Sequence, residues 1–275
     1  MAARSTTTSE GMPRSTATSF TGASDLPDTQ PEIQKLVHDS TLIFSGTVIE
    51  LGASSVANLA PRDDFAVVLV DNPMRFDSAL GDLRRRKITV ALAKSGVLQP
   101  GEKAVFFTLN WIQGGGIAAR EVAHVNPQQE DEVAGEVARL PERHLAERLA
   151  DAMLVLVAEV SKTKTTPFDI RSRDAPQWAI ASFRNIEALL GTPGENMIVL
   201  FPTSGRPMWS RSPRLNEGER AIYLLHRPPD WPRVPELSPN LTSAIYTMLD
   251  PADVQPESQR PLVEKLLSER RIRCL

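Results

Sequence analysis

The chain has 275 residues, a formal charge of -3 and ordinary apolar and charged fractions of 41% and 24%. That length holds one large domain or two small ones. The mild acidity argues against a general nucleic-acid binder, which needs a surplus of lysine and arginine. The one cysteine, Cys274, allows no internal disulfide and suits a reducing, cytoplasmic compartment.

Residues 1–30 include twelve Ser or Thr and no apolar core of signal-peptide length, so they are expected to form a disordered tail. No apolar run approaches a membrane span, and no membrane insertion is expected. Next, "IQKLVHDSTLIFSGTV" (33–48) predicts a helix, a short turn and a strand, from i, i+4 apolar spacing followed by a β-rich run. "FAVVLVDNP" (65–73), "ITVAL" (88–92) and "AVFF" (104–107) read as strands. Val105 and Phe107, or Phe106 in the other register, are expected to alternate between core and outside. A charged amphipathic helix over 129–140 follows, and Pro141 is expected to end or kink it.

The same order then recurs. Residues 33–48 align with 145–160 at a separation of 112, 65–73 with 178–186 at 113, and 88–92 with 197–201 at 109. "LQPGEKAVFF" (98–107) aligns with "LNEGERAIYL" (215–224) at 117, and "AHVNPQ" (123–128) with "ADVQPE" (252–257) at 129. A second trailing helix is expected over 258–271. Strands punctuated by Gly and Pro, with a helix leading in and one leading out, describe a small β-barrel unit used twice. The fold class expected is mostly β with flanking helices. It comprises two tandem OB-like barrels related by internal duplication, over 31–140 and 142–275.

The strand "LIFSGTVIEL", the run ending "VLVDNP" and the segment "PGEKAVFF" together resemble the OB-type barrel of netrin-module and metalloproteinase-inhibitor-like domains. The resemblance is closer to bacterial tandem proteins of that kind with no assigned function, over roughly 31–128 and 142–257. Such inhibitors ligate their target's zinc through an N-terminal cysteine braced by disulfides. This chain has no cysteine near residue 31, so the resemblance implies the fold and not protease inhibition.

Chemistry-bearing motifs are scarce. His38, His124, His144 and His226 have no metal-ligand spacing, and "HLAER" (144–148) lacks the second histidine of a zincin helix. "TSGRP" (203–207) lacks the frame of a nucleophile elbow. "WIQGGGIAARE" (111–121) is followed by a β-like segment where a phosphate loop needs a helix, and reads as a hairpin tip. No metal, cofactor or catalytic residue is expected. The densest basic run, Arg84, Arg85, Arg86 and Lys87, would serve a single-strand nucleic-acid binder of OB type, or guard a strand edge.

The copies differ most by two insertions in the second, "PTSGRPMWSRSPR" (202–214) and "RPPDWPRVPELSPN" (227–240). Loops on a rigid barrel carry function more often than the scaffold does, and Trp and Arg dominate binding hot spots. Trp209, Arg211, Arg214, Trp231 and Arg233 are therefore the expected contacts for a protein partner. The leading expectation is a non-catalytic binding or scaffolding protein. The alternatives are single-stranded nucleic-acid binding through Arg84–Lys87, and a hydrolase with a loop site that carries no motif. A carboxylate, a histidine and a hydroxyl in one pocket would mark the last.

Overall fold

The computed structural model describes residues 29–113, 116–166, 176–194, 197–205, 209–229 and 245–273. The chain divides into two compact units between Gln129 and Glu130. Among the described residues no helix is long and apolar enough to cross a membrane. The stretch read as a tail lies outside the described residues, except that the first helix begins inside it, at Thr29.

The first unit opens with α1 (Thr29–Asp39) and continues through β1 (Leu42–Leu51), β2 (Phe65–Arg75), β3 (Lys87–Ala91), β4 (Lys103–Gln113) and β5 (Gly116–Val125). The strands close into a barrel in the order β1-β2-β3-β5-β4, with β3 and β5 parallel and the other pairs antiparallel. This is consistent with an OB-like barrel. Its interior holds Leu42, Phe44, Val68, Ile88, Val90 and Phe106, with Phe44 stacked on Phe106 at 5.3 Å.

The expected alternation between core and outside is corrected here. Val105, Phe106 and Phe107 are all 0% exposed, as is Ile43. Along Leu42–Ser45 of β1 and Ala104–Thr108 of β4 both faces are buried, so alternation there separates the barrel interior from a second buried layer rather than from water. Two-sided burial gives a continuous apolar run, and period two then says only which layer a residue joins.

The second unit begins with α2 (Glu130–Asp151), which runs through Pro141 without ending. The helix expected to trail the first copy and the one expected to lead the second are thus a single helix. Pro141 is exposed, where a carbonyl deprived of its N–H partner can be hydrated. Leu145 and Leu149, about one and two turns further on, are buried and hold the helix against the sheet. β6 (Leu154–Thr165), β7 (Trp178–Leu190), β8 (Ile198–Pro202), β9 (Arg220–Leu225), β10 (Ile245–Thr247) and β11 (Val254–Gln255) form a curled sheet in the order β10-β8-β7-β6-β9-β11. One isolated bridge, His226 to Thr247, joins β9 to β10. α3 (Arg260–Arg273) follows, and Val263, Leu266 and Leu267 join the Leu145 layer over Val155, Val157, Ile222 and Leu224.

Strand pairing relates the copies directly. Leu42 pairs with Thr108 and Phe44 with Phe106; Leu154 pairs with Leu225 and Leu156 with Tyr223. These keep the separations 112 and 117. The irregularities in the β1–β2 ladder fall at Ile43/Phe44, Ser45/Gly46 and Val48/Glu50, and those of β6–β7 at Val155/Leu156, Val157/Glu159 and Val160/Lys162. The same bends therefore recur at the same places.

Two expected separations shift. Phe44 faces Pro73 while Leu156 faces Ala188, so β2 and β7 are related by 115 rather than 113. His124 faces Phe106 while Val254 faces Tyr223, so the last match is 130 rather than 129. The first slip is an even number of residues and leaves every side chain on its face. The second arises because a single-residue irregularity in β5 becomes a longer excursion in the second copy.

The repeated Gly-Glu phrase is a turn. Glu102 N–H donates to Gln99 O, and Glu219 N–H to Asn216 O, at 3.0 and 3.1 Å. Gly101 and Gly218 carry φ of 87° and 85°, which glycine adopts without strain. The carboxylates of Glu102 and Glu219 then accept the backbone N–H of Gln99 and Asn216, at 2.9 and 3.3 Å. Gly101 and Gly218 donate in turn to Val48 O and Val160 O, which pins each turn to its first strand.

Candidate functional site

The first inserted loop follows β8. Its described parts, 202–205 and 209–214, are tied together by Arg214, whose Nη1 donates to Pro202 O at 2.8 Å and whose Nη2 donates to Ser204 O at 2.8 Å and Trp209 O at 3.3 Å. A guanidinium carries five donors in a fixed fork, and here it gathers one carbonyl from the end of β8 and two from the loop beyond it. Trp209 is 8% exposed, and Ser212 N–H closes a turn onto Trp209 O at 3.1 Å. Trp209 is therefore an anchor that faces inward and Arg214 a clasp, while Ser210 and Arg211 stand on the exposed side of the turn. Of the expected contacts, Trp231 and Arg233 lie outside the described residues.

Arg84, Arg85, Arg86 and Lys87 are all exposed and enter β3 through a tight turn. Arg85 has φ of 61° and its N–H donates to Val70 O at 2.8 Å, while Arg86 Nη1 reaches Leu80 O at 3.2 Å. The outward face beside them is closed. The β1–β2 connection lays Ser54, Ser55 and Val56 across β3, where Thr89 Oγ1 accepts Ser55 N–H at 2.8 Å and lies 3.3 and 3.1 Å from the hydroxyls of Ser54 and Ser55. Thr89 is left 1% exposed and Val56 5%.

One constellation was not legible in the sequence. Asp253 is 0% exposed and accepts from Arg148 Nε and Nη2 at 2.8 and 3.0 Å, and it lies 3.0 Å from His226 Nε2. Its second oxygen also takes the N–H groups of Leu249 and Asp250, both at 2.9 Å. Burial alone would raise the Asp253 carboxyl, but the hydrogen bonds from His226 and Arg148 outweigh it and hold the group below its ordinary range. Beside it, His144 Nε2 lies 2.9 Å from Asp250 Oδ1.

The only trace in the sequence is "DPAD" (250–253), the pattern of a capping box with Pro at the first helical position. Asp250 and Asp253 form that box around a 3-10 turn. The separations above place Leu36, Leu109 and Ala123 of the first copy where Arg148, His226 and Asp253 stand. The charged cluster therefore belongs to the second copy alone.

Thr247, paired across from His226, brings a hydroxyl near the histidine and carboxylate. Its Oγ1 is buried and has no hydrogen-bond partner among the described residues, so it is not bonded to the imidazole, and Asp253 is held by Arg148. A nucleophile–base–acid relay needs a hydroxyl bonded to the base, and this cluster lacks that bond. What it does is tie α2, the end of β9 and the turn after β10 together. No group of three or more His, Cys, Asp or Glu among the described residues could hold a metal ion.

The first copy also buries a carboxylate where β5 is interrupted. Glu121 is 6% exposed, accepts Ala93 N–H at 2.8 Å and meets His124 Nδ1. No protein-family model and no curated protein matches the chain.

Proposed function

We propose that the protein is a non-catalytic binding or scaffolding protein built from two netrin-module-type barrels, and that the second copy presents its inserted loops to a protein partner. The observation that carries this is the clasp of Arg214 on Pro202, Ser204 and Trp209, in a loop that the first copy lacks. A loop ordered beforehand by its own anchors loses less entropy when a partner binds. It also divides the roles of the expected contacts. In this reading Trp209 and Arg214 hold the described ends of the loop, and the exposed Arg211 is the contact for the partner.

The test is capture of partner from the cells that make the protein, with chemical cross-linking, alongside denaturant unfolding of each variant. Arg211→Ala is expected to weaken capture and to change stability by about 0.5 kcal/mol or less. Trp209→Ala is expected to cost about 3–5 kcal/mol of stability as an anchor is lost. Equal capture by the wild type and Arg211→Ala, with both folded, overturns the assignment of that contact.

A second reading is single-stranded nucleic-acid binding, favoured by the exposed run Arg84–Lys87. It predicts salt-dependent retention on single-stranded DNA that is lost when the four cations are replaced. The strap on Thr89 stands against it, because the outward face next to the run is already occupied.

A further inference from the structure

The outward side of the first barrel is covered unevenly. Val67, Thr89 and Ala118 form one row across β2, β3 and β5, paired in register, and the Ser54–Val56 strap crosses this row at Thr89. Phe65, Ala91 and Arg120 form another row, also in register. That row lines an open hollow of about 300 Å3, walled further by Arg62 and Glu121. Its volume is at the low end of small-molecule sites.

The acids of the hollow are engaged. Asp64 accepts Arg62 Nε and Nη2 at 2.9 and 2.8 Å through its two oxygens. The Glu121 side chain is 2% exposed, with one oxygen on Ala93 N–H and the other on His124. Arg120 is exposed, and its side chain makes no hydrogen bond or ion pair with any described residue. The Arg62 guanidinium lies 5.0 Å from the centroid of the Phe65 ring, and its side chain is 62% exposed, so its other face is open.

We propose that this hollow binds one planar heteroaromatic ring bearing a negative group, a nucleotide-like ligand. The ring stacks on the open face of Arg62, and Arg120 meets the charge. Guanidinium planes stack on ring faces, and an unpaired guanidinium takes a phosphate or carboxylate through two parallel N–H bonds. Two hydrogen bonds to Asp64 hold Arg62 by the Phe65 ring and fix its plane before the ligand arrives. The strap on the neighbouring row limits the site to a single ring. This site is independent of the loops of the second copy.

The shared chemistry could come from a free mononucleotide or from the terminal nucleotide of a single strand. The experiment is an NMR titration of the full chain, following the amides of Phe65, Leu92, Ala93 and Arg120. The probes are adenosine 5′-monophosphate, adenosine, inorganic phosphate and a 5′-phosphorylated single-stranded oligonucleotide. The monophosphate is expected to bind with a Kd of about 1 mM or tighter, and adenosine and phosphate about tenfold more weakly. Arg120→Ala and Arg62→Lys are each expected to weaken the monophosphate about tenfold without moving the unfolding midpoint.

An oligonucleotide that matches the monophosphate supports the site and identifies a strand end as a second source. One that binds far more tightly, with shifts spreading over Arg84–Lys87, overturns it in favour of a strand-binding surface. No shift with the monophosphate, or unchanged binding in folded Arg120→Ala, overturns it as well.

Discussion

The fifth strand is one piece in the first copy and two in the second. β5 pairs with β3 through Thr89–Ala118 and with β4 along its full length. In the second copy β10 takes the parallel partner, β11 takes Tyr223 and Ile222, and residues 248–253 loop out between them. Ladder hydrogen bonds hold the seam in one barrel. Side chains substitute in the other: Asp253 gathers Arg148, His226 and two backbone N–H groups at the place where the ladder is broken. A duplicated unit can thus keep its strand order while exchanging what holds this edge, a ladder in the closed barrel and side chains in the curled sheet.

The largest test of that comparison removes what both copies share. Phe106 and Tyr223 occupy matching places opposite Phe44 and Leu156. Phe106→Ala is expected to cost about 3–5 kcal/mol in urea unfolding. A loss near 1 kcal/mol would mean that the barrel interior is not formed around it.

The next removes what they do not share. Asp253→Ala leaves Arg148 and His226 without their buried acceptor and is expected to cost about 3 kcal/mol. The Asp253 carboxyl is held below its ordinary value, so its contribution is present above the unfolded value near 3.9 and is lost as the pH falls through the lower folded value. Unfolding followed from pH 7 to acid should show this loss in the wild type and a shallower one in Asp253→Asn. Identical acid profiles would remove the seam from the explanation.

A smaller test asks whether the repeated turns are equivalent. A Cβ added to Gly101 or Gly218 meets nothing within 4 Å, so only the positive φ resists it. Each glycine-to-alanine change is expected to cost about 1–2 kcal/mol, and the two to agree. Unequal costs would show that one turn is held by something beyond its backbone.

Much of the architecture was legible because it is written in local chemistry. The Gly-Glu phrase needs a positive φ and a carboxylate three residues after the N–H it accepts, and both demands fall within four residues. Strand β2 was matched two residues out of register because both strands open on an aromatic, Phe65 and Trp178, and a slip of two leaves the period-two pattern unchanged. Pro141 does not end its helix, because exposure and the packing of Leu145 and Leu149 outweigh a local breaker. The seam cluster was not legible, since Arg148, His226 and Asp253 are far apart in the chain and meet only through the fold. Of the inserted loop, Trp209 and Arg211 look alike to a hot-spot argument, and only burial separates them.

Among the bends common to both copies, that at Ile49 has a further consequence. Val48 faces Val68 and Glu50 faces Val67, leaving Ile49 without an opposite number, just as Ser161 has none between Val160 and Lys162. Ile49 and Glu50 are both exposed, while Val48 and Leu51 belong to the interior. A chain lacking Ile49 would therefore keep every remaining side chain on the side it now occupies, in strict alternation. What it would lose is the coil that the extra residue puts into the ribbon. The choice of which residues point inward and the curvature that brings the ribbon round to meet itself are carried by different atoms, and a single deletion parts them.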